Sequence, residues 1–232
     1  MDVPIKKNTN WIVDFFDSAY EEAFNKFPIK DLINELNLET LKKYDLKEEI
    51  QWLKKTLEDI GSPNVFSHID FRGSNIMIVE PNDQIILCDF EYSSYGYRGF
   101  DFGSIAVEWN RHIDELFKAE NFLEKYPNDN QIKTILKPYI EESERIFGKK
   151  WSEDRINSID QLVKEVKLFS MVANMFIVLF AIKNDEKDEK AFPMDKKIMM
   201  VSLNIIMFYL DHLLFVYFGS KCAKGIILAI GI

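Results

Sequence analysis

Apolar residues recur at four-residue steps near the start of the chain, at Trp11, Phe15, Ala19, Ala23 and Phe27. That stripe predicts one face of a helix that Asn10 can cap and Pro28 stops. A second stripe, Leu46, Ile50, Leu53, Leu57 and Ile60, predicts a helix over about 46–60, ended by Gly61-Ser62-Pro63. Both stripes read as core faces. The period then changes. Two short apolar runs, Ile76 to Glu80 and Gln84 to Cys88, flank Pro81-Asn82-Asp83 and predict a β-hairpin. Phe90 to Asp101 reads as a loop by its Gly and Ser content, rich in Tyr, leading into a helix that carries Glu108 and Trp109. Residues 118–151 are polar and amphipathic, with a helix around 131–147 entered or interrupted near Pro138. Ser152 is placed to cap a long helix to about Lys183, and the charged stretch Asn184 to Lys190 reads as a solvated linker. Asp195 caps a last helix ending near Phe218, with Gly219 behind it.

The two C-terminal helices are apolar enough to raise the question of a membrane. Ile198 to Phe218 spans 21 residues, the length of a bilayer crossing, but it contains Asn204, Asp211 and His212, which are costly in lipid. Leu168 to Ile182, at 15 residues, is too short. Buried helices of a globular lobe account better for both. The apolar tail Ser220 to Ile232 follows no pattern.

Length and composition narrow the class. A chain of 232 residues, 47% hydrophobic and with 19 Phe, has ample material for a sizeable core. Its net charge of −9 argues against a nucleic-acid or anionic-membrane surface but not against a cationic substrate. Cys88 and Cys222 show no metal or redox spacing, which fits a reducing compartment, and no N-terminal signal peptide is visible. The expected location is cytoplasmic. His68, His112 and His212 share no helical face and do not form a metal site.

The chemistry concentrates between Ser67 and Asp89. His68-x-Asp70-x4-Asn75 has the spacing of a kinase catalytic loop, in which the Asp takes the proton of the substrate hydroxyl and the Asn holds a metal ion. A hairpin pairing symmetrically about Asn82 sets residue 76 opposite 88 and Asn75 opposite Asp89. Two oxygen ligands at one open end suit Mg²⁺, which takes a few protein oxygens and completes its shell with phosphates and water. Asp70 then lies beside the ion without binding it. Asp101 is either the N-cap of the following helix or a buried carboxylate bracing the loop.

His68-Ile69-Asp70 through Asn75, Asp89-Phe90-Glu91-Tyr92-Ser93-Ser94-Tyr95, Tyr97-Arg98-Gly99-Phe100-Asp101 and Glu108-Trp109 together resemble the choline/ethanolamine kinase family. The resemblance implies an α+β, mostly α-helical fold: a protein-kinase-like C-terminal lobe over residues 1–219, with a β-hairpin carrying the catalytic and metal residues. Within it, 1–60 is a helical lead-in, 65–109 the catalytic core and 118–218 the helical remainder, leaving 220–232 unassigned. It implies phosphorylation of the hydroxyl of ethanolamine or choline by ATP, with Mg²⁺, at the first step of phosphatidylethanolamine or phosphatidylcholine synthesis. Position by position, Asp70 is the base, Asn75 and Asp89 the metal ligands, and Glu108 and Phe180 contacts for the substrate's cationic end. His68, Glu91 and Asp101 support the site.

Three departures qualify this expectation. Residues 1–60 contain no glycine, so the phosphate loop and nucleotide lysine of the family's N-terminal lobe have no counterpart there. The usual His-Asn-Asp reads His68-Ile69-Asp70. The family's aromatic choline cage falls on Ile113, Ile177 and Phe180, with Phe192 and Lys196 near it, a thin cage that favours ethanolamine. The competing expectation is a truncated or degenerate non-catalytic lobe that serves as a binding or regulatory module, for instance by association with a related kinase chain.

Overall fold

The computed structural model describes residues 10–26, 29–111, 125–184, 200–204 and 206–207. Helix α1 spans Trp11–Lys26, followed by α2 (Ile29–Glu35), α3 (Glu39–Lys43) and α4 (Leu46–Asp59). Asn10 opens α1 with its backbone carbonyl, which accepts from Val13 N, whereas its side-chain oxygen makes no hydrogen bond. The fully buried ridge of α1 is Ile12, Phe16 and Ala19, and Trp11 and Phe15 lie half-buried beside it. Helix α4 follows the expected stripe: Leu46, Ile50, Leu53 and Leu57 are buried, and Asp45 caps it by accepting from Lys47 N and Glu48 N.

Strands β1 (Asn64–Ser67), β2 (Ile76–Val79), β3 (Gln84–Leu87) and β4 (Ser94–Tyr97) form two antiparallel pairs among the described residues, β1 with β4 and β2 with β3. Strand β4 is a correction to the loop expected over 90–101. Its Ser and Gly carry no strand pattern of their own, and its pairing, Asn64 to Tyr97 through Ser67 to Ser94, is supplied by a segment far back in the chain. The β2–β3 hairpin exists, but its register is one residue off the expected one. Ile76 pairs with Leu87 and Val79 with Gln84, so the turn contains Glu80 to Asp83 and is not centred on Asn82. Asn75 therefore lies opposite Cys88, whose N–H donates to Asn75 O at 3.0 Å, and not opposite Asp89. A one-residue slip turns every side chain to the other face.

Helix α5 spans Gly99–Glu108, α6 Asp129–Phe147, α7 Lys150–Glu153 and α8 Ile159–Asn184. Asn128 caps α6 in a reciprocal box with Gln131, and the helix runs through Pro138. Helix α8 begins six residues later than Ser152 predicts. Ser152 Oγ instead bonds Glu144 and the Lys149 carbonyl, and Ser158 Oγ accepts from Gln161 N. Along α8 every position from Leu162 to Met175 is buried except Lys164, so a protein interior accounts for its apolar run beyond Leu168. No helix among the described residues is long and apolar enough to cross a membrane. Residues 200–204 and 206–207 are helical, with Met200, Leu203, Ile206 and Met207 in the main core, and Asn204 Oδ1 accepts from Leu41 N at 3.0 Å. The linker 184–190 beyond Asn184, the Asp195 cap and the tail 220–232 lie outside the described residues, as do His112, Ile113, Phe192, Lys196, His212 and Cys222.

Helices α5 and α8 pack closely against each other. A Cβ built on Gly103 would come within 2.4 Å of Phe169 C and 2.6 Å of Ser170 N, both backbone, and one on Gly99 within 2.2 Å of the Phe169 ring. Two glycines four residues apart thus let α5 lie against the α8 backbone. Gly103→Ala is expected to destabilise the chain by about 1–3 kcal/mol through overpacking, measured as a fall in the urea midpoint at unchanged slope.

Candidate active site

Leaving β1, the chain passes through His68, Ile69 and Asp70 in a conformation that must be held from outside. Ile69 has φ +73°, the left-handed region, where a β-branched residue costs about 1–2 kcal/mol. The carboxylate of Asp101, in the first turn of α5, accepts from His68 N at 2.8 Å and from Ile69 N at 2.9 Å. Of its two readings from sequence, Asp101 is therefore the brace, and Arg98 holds the N-cap position. Burial pushes the Asp101 carboxyl above its ordinary value, against the two backbone donors and His68, which pull it down.

Seven residues along α5, Glu108 holds the other end of the same loop. Its Oε2 accepts from Gly73 N at 2.9 Å, and its Oε1 lies 3.3 Å from Arg72 Nε. Burial raises its carboxyl first, Gly73 N and Arg72 oppose that, and Asp70 adds to it. At about 100° per residue, Asp101 and Glu108 share one face of α5, opposite Gly99 and Gly103. The helix works as a splint, glycines on α8 and carboxylates on the loop.

Within the loop, buried Asn75 donates from Nδ2 to Asp70 O at 2.9 Å and to Asp70 Oδ2 at 2.8 Å. Cys88 joins the two halves: its N–H donates to Asn75 O, and its carbonyl lies 2.8 Å from His68 Nε2. That contact assigns the proton to Nε2, with the imidazole ring set 4.7 Å from Phe90 and 5.9 Å from Phe71. Asp89 follows at φ +65° with an exposed carboxylate. Asn75 and Asp89 supply two hard oxygens, a donor set that fits a small divalent cation. Among the described residues, no group of three or more His, Cys, Asp and Glu is placed to hold a metal ion.

The expected residues divide clearly. Asp70, Asn75, His68, Asp101 and Glu108 are joined to the loop by direct bonds. Asp89 stands beside them through Cys88, while Glu91 is exposed in the short turn Phe90–Tyr92. Phe180 is half-buried on α8 and meets the Tyr92 ring edge-on at 6.2 Å. Tyr92 was legible only as part of a tyrosine-rich stretch. Its hydroxyl is raised by burial and then by Glu91, Asp70 and Asp89, so three carboxylates bear on one aromatic wall.

A model of the choline/ethanolamine kinase family matches residues 1–202. The Homo sapiens choline/ethanolamine kinase is 32% identical over 190 residues, covering 78% of this chain and 46% of the relative. A probable ethanolamine kinase of Arabidopsis thaliana is 26% identical over 185 residues, covering 78% and 45%. The chain spans about half the length of the curated relatives it matches. Among solved structures, a choline kinase from Cryptosporidium parvum superposes with TM-score 0.59 at 16% identity, over 97% of this chain and 62% of its own. A Plasmodium vivax ethanolamine kinase gives 0.53 at 18%, over 88% and 49%. These likenesses show the expected α+β, mostly helical fold of the protein-kinase-like type.

Two outcomes follow from the splint. Asp101→Asn turns an amide N–H₂ toward His68 N or Ile69 N and leaves one buried amide unpaired, a cost of about 1–3 kcal/mol in urea unfolding. For Glu108 the native carboxyl binds protons more tightly than the unfolded one. From the ordinary value of 4.5 up to its raised native value, its contribution to stability therefore falls as pH rises. Relative to Glu108→Gln, the unsubstituted chain should gain stability when urea midpoints are compared at falling pH through that window. The opposite trend would assign the carboxyl to its Arg72 pairing.

Proposed function

Since this chain belongs to the choline/ethanolamine kinase family, we propose that it carries the acceptor side of an ATP-dependent phosphoryl transfer to the hydroxyl of ethanolamine or choline. The observation that supports this most is the Asp70 carboxylate, fixed by Asn75 Nδ2 at 2.8 Å inside a loop that α5 grips at both ends. One carboxylate oxygen is held, and the other accepts the proton of the attacking hydroxyl. Most of the catalytic effect in phosphoryl transfer is positioning and charge stabilisation, so a rigidly held base suffices.

Asn75 through Oδ1 and Asp89 through its carboxylate would hold Mg²⁺. When bound, that ion neutralises charge on the phosphates of ATP. Asn75 then has a double duty, orienting Asp70 with its amide nitrogen and leaving its oxygen for the metal. His68 keeps Asp89 in reach by fixing the Cys88 carbonyl. The family's phosphate loop and lysine have no counterpart in residues 1–60, so the proposal assigns to this chain the acceptor hydroxyl and the metal ligands.

The substrate's cationic end meets Tyr92 and Phe180, with Asp70, Asp89 and Glu91 bearing on the Tyr92 hydroxyl. Asp70 and Asp89 serve the hydroxyl and the metal, which leaves Glu91 to accept a hydrogen bond from a primary ammonium, whereas a quaternary one relies on aromatic faces. Ile177, half-buried on α8, contributes no ring. Ethanolamine is therefore the proposed substrate over choline. Glu108 acts on the substrate through the loop, since both its oxygens are engaged by Arg72 and Gly73.

The test is Mg-ATP-dependent phosphorylation by the purified chain. Ethanolamine should turn over faster than choline, and Asp70→Asn should cut the rate by about 10²–10⁴-fold, the span expected for a lost general base. A rate that survives Asp70→Asn contradicts the reading. A cooperatively melting chain with no turnover would leave a lobe that has the catalytic residues but no clamp for ATP.

A further inference from the structure

The glycine face of α5 seats on α8 at Gly99, against the Phe169 ring, and at Gly103, whose carbonyl accepts from Ser170 Oγ at 3.3 Å. The positions of Asp101 and Glu108 against the loop depend on that seating, and a second contact fixes it at the start of the helix. Immediately before α5, Arg98 enters a buried polar cluster that has no part in the chemistry described above. Its Nε donates to Glu165 Oε2 at 3.1 Å and its Nη2 to Glu165 Oε1 at 2.7 Å, a two-pronged ion pair with α8. Nη1 donates to Asn157 Oδ1 at 2.7 Å, and Nη2 also reaches Ile156 O at 3.0 Å. The side chains are 4% and 1% exposed.

The remaining capacity of the cluster goes to the same junction. Ser62 Oγ donates to Glu165 Oε2 at 2.9 Å and accepts from Gly99 N, the first residue of α5, at 3.3 Å. Asn157 Nδ2 donates to Trp151 O at 2.8 Å, which pins the turn that presents it. Four segments thus meet on the Arg98–Glu165 pair: the chain entering β1, the start of α5, the turn 155–157 and α8 itself.

A buried ion pair is weak evidence for stability, because desolvating both charges offsets most of their attraction, and apolar replacements often do as well. Its best-attested use is to fix register, since the planar guanidinium accepts one geometry and punishes any slip with an uncompensated charge. The guanidinium fork also excludes lysine, which cannot donate to both Glu165 oxygens and Asn157 from one point.

We propose that Arg98 and Glu165 are positioning residues for the phosphoryl-transfer loop: their buried pair sets the register of α5 on α8. Through Asp101 and Glu108, it thereby sets the conformation of His68 to Gly73 around Asp70. This rests on the reading of Asp70 as the base, but the register itself is measurable without turnover. Neither residue touches substrate. Loss of the pair loosens the loop at both ends together, at His68 and Ile69 and, about 10 Å along the helix axis, at Gly73.

The test is amide hydrogen exchange of the full chain, read residue by residue, with Arg98→Lys and Glu165→Gln. Exchange at His68, Ile69 and Gly73 should accelerate at least about 10-fold in both, while amides in the centre of α6 stay within about twofold. Where turnover is present, kcat should fall with the KM for ethanolamine unchanged, because the pair acts on the base and not on binding. Should either substitution prevent cooperative melting, Ser62→Ala keeps both charges and removes two bonds, one to Glu165 Oε2 and one from Gly99 N. It should still speed the same three amides by about threefold. Loop amides that exchange at the unsubstituted rate in a folded variant overturn the proposal. Absence of turnover in the unsubstituted chain bears on the function alone, since the exchange comparison stands without it.

Discussion

Two backbone amides, those of His68 and Ile69, leave β1 with no strand partner, and the carboxylate of Asp101 accepts both. Much else follows from that pair of bonds. A buried N–H without an acceptor costs more than most single interactions contribute, so the loop is obliged to follow Asp101 wherever α5 carries it. Asp101 in turn is fixed by α5, and α5 by its glycine face on the backbone of α8. The long buried helix α8 is thus the foundation on which a six-residue loop is positioned.

The same bonds hold a strained residue. Ile69 sits in the left-handed region that asparagine tolerates and a β-branched side chain resists. Ile69 is sustained there by burial, being 5% exposed, and by Asp101 on its N–H. Strain of this kind persists only where surrounding structure over-determines it, and it turns Asp70 toward Asn75. The hairpin serves the same end from the other side. Its register places Cys88 opposite Asn75, so both Cys88 backbone groups are consumed in joining the catalytic loop to the segment that bears Asp89.

Much of this was legible in the sequence, and the exceptions have physical causes. Helix α4 followed from an uninterrupted apolar stripe, and the kinase-like spacing singled out His68, Asp70 and Asn75, which the structure joins in one loop. Asp101 was readable as a brace or a cap, but only the distance to His68 N decided between them. The hairpin register could not be read because a Pro-Asn-Asp turn admits more than one centre, and the strands' own residues are apolar on both faces. Strand β4 was hidden because its Ser and Gly acquire strand geometry only from β1. Ser158 displaced Ser152 as the cap of α8 because Ser152 finds a nearer partner in Glu144. The bonds of Glu108 to Gly73 N and Arg72 were not readable either, because a lone acidic residue gives no hint of a partner 35 residues back in the chain.

If α5 grips the loop as one body, its two carboxylates must be energetically coupled although they are too far apart to touch. A double-mutant cycle on stability, with Asp101→Asn, Glu108→Gln and the pair, measures this directly by urea unfolding. The account predicts that the double substitution costs less than the sum of the singles by at least about 0.5 kcal/mol, because releasing either end already frees the loop. Costs that add to within about 0.3 kcal/mol would contradict it and make the two carboxylates independent anchors.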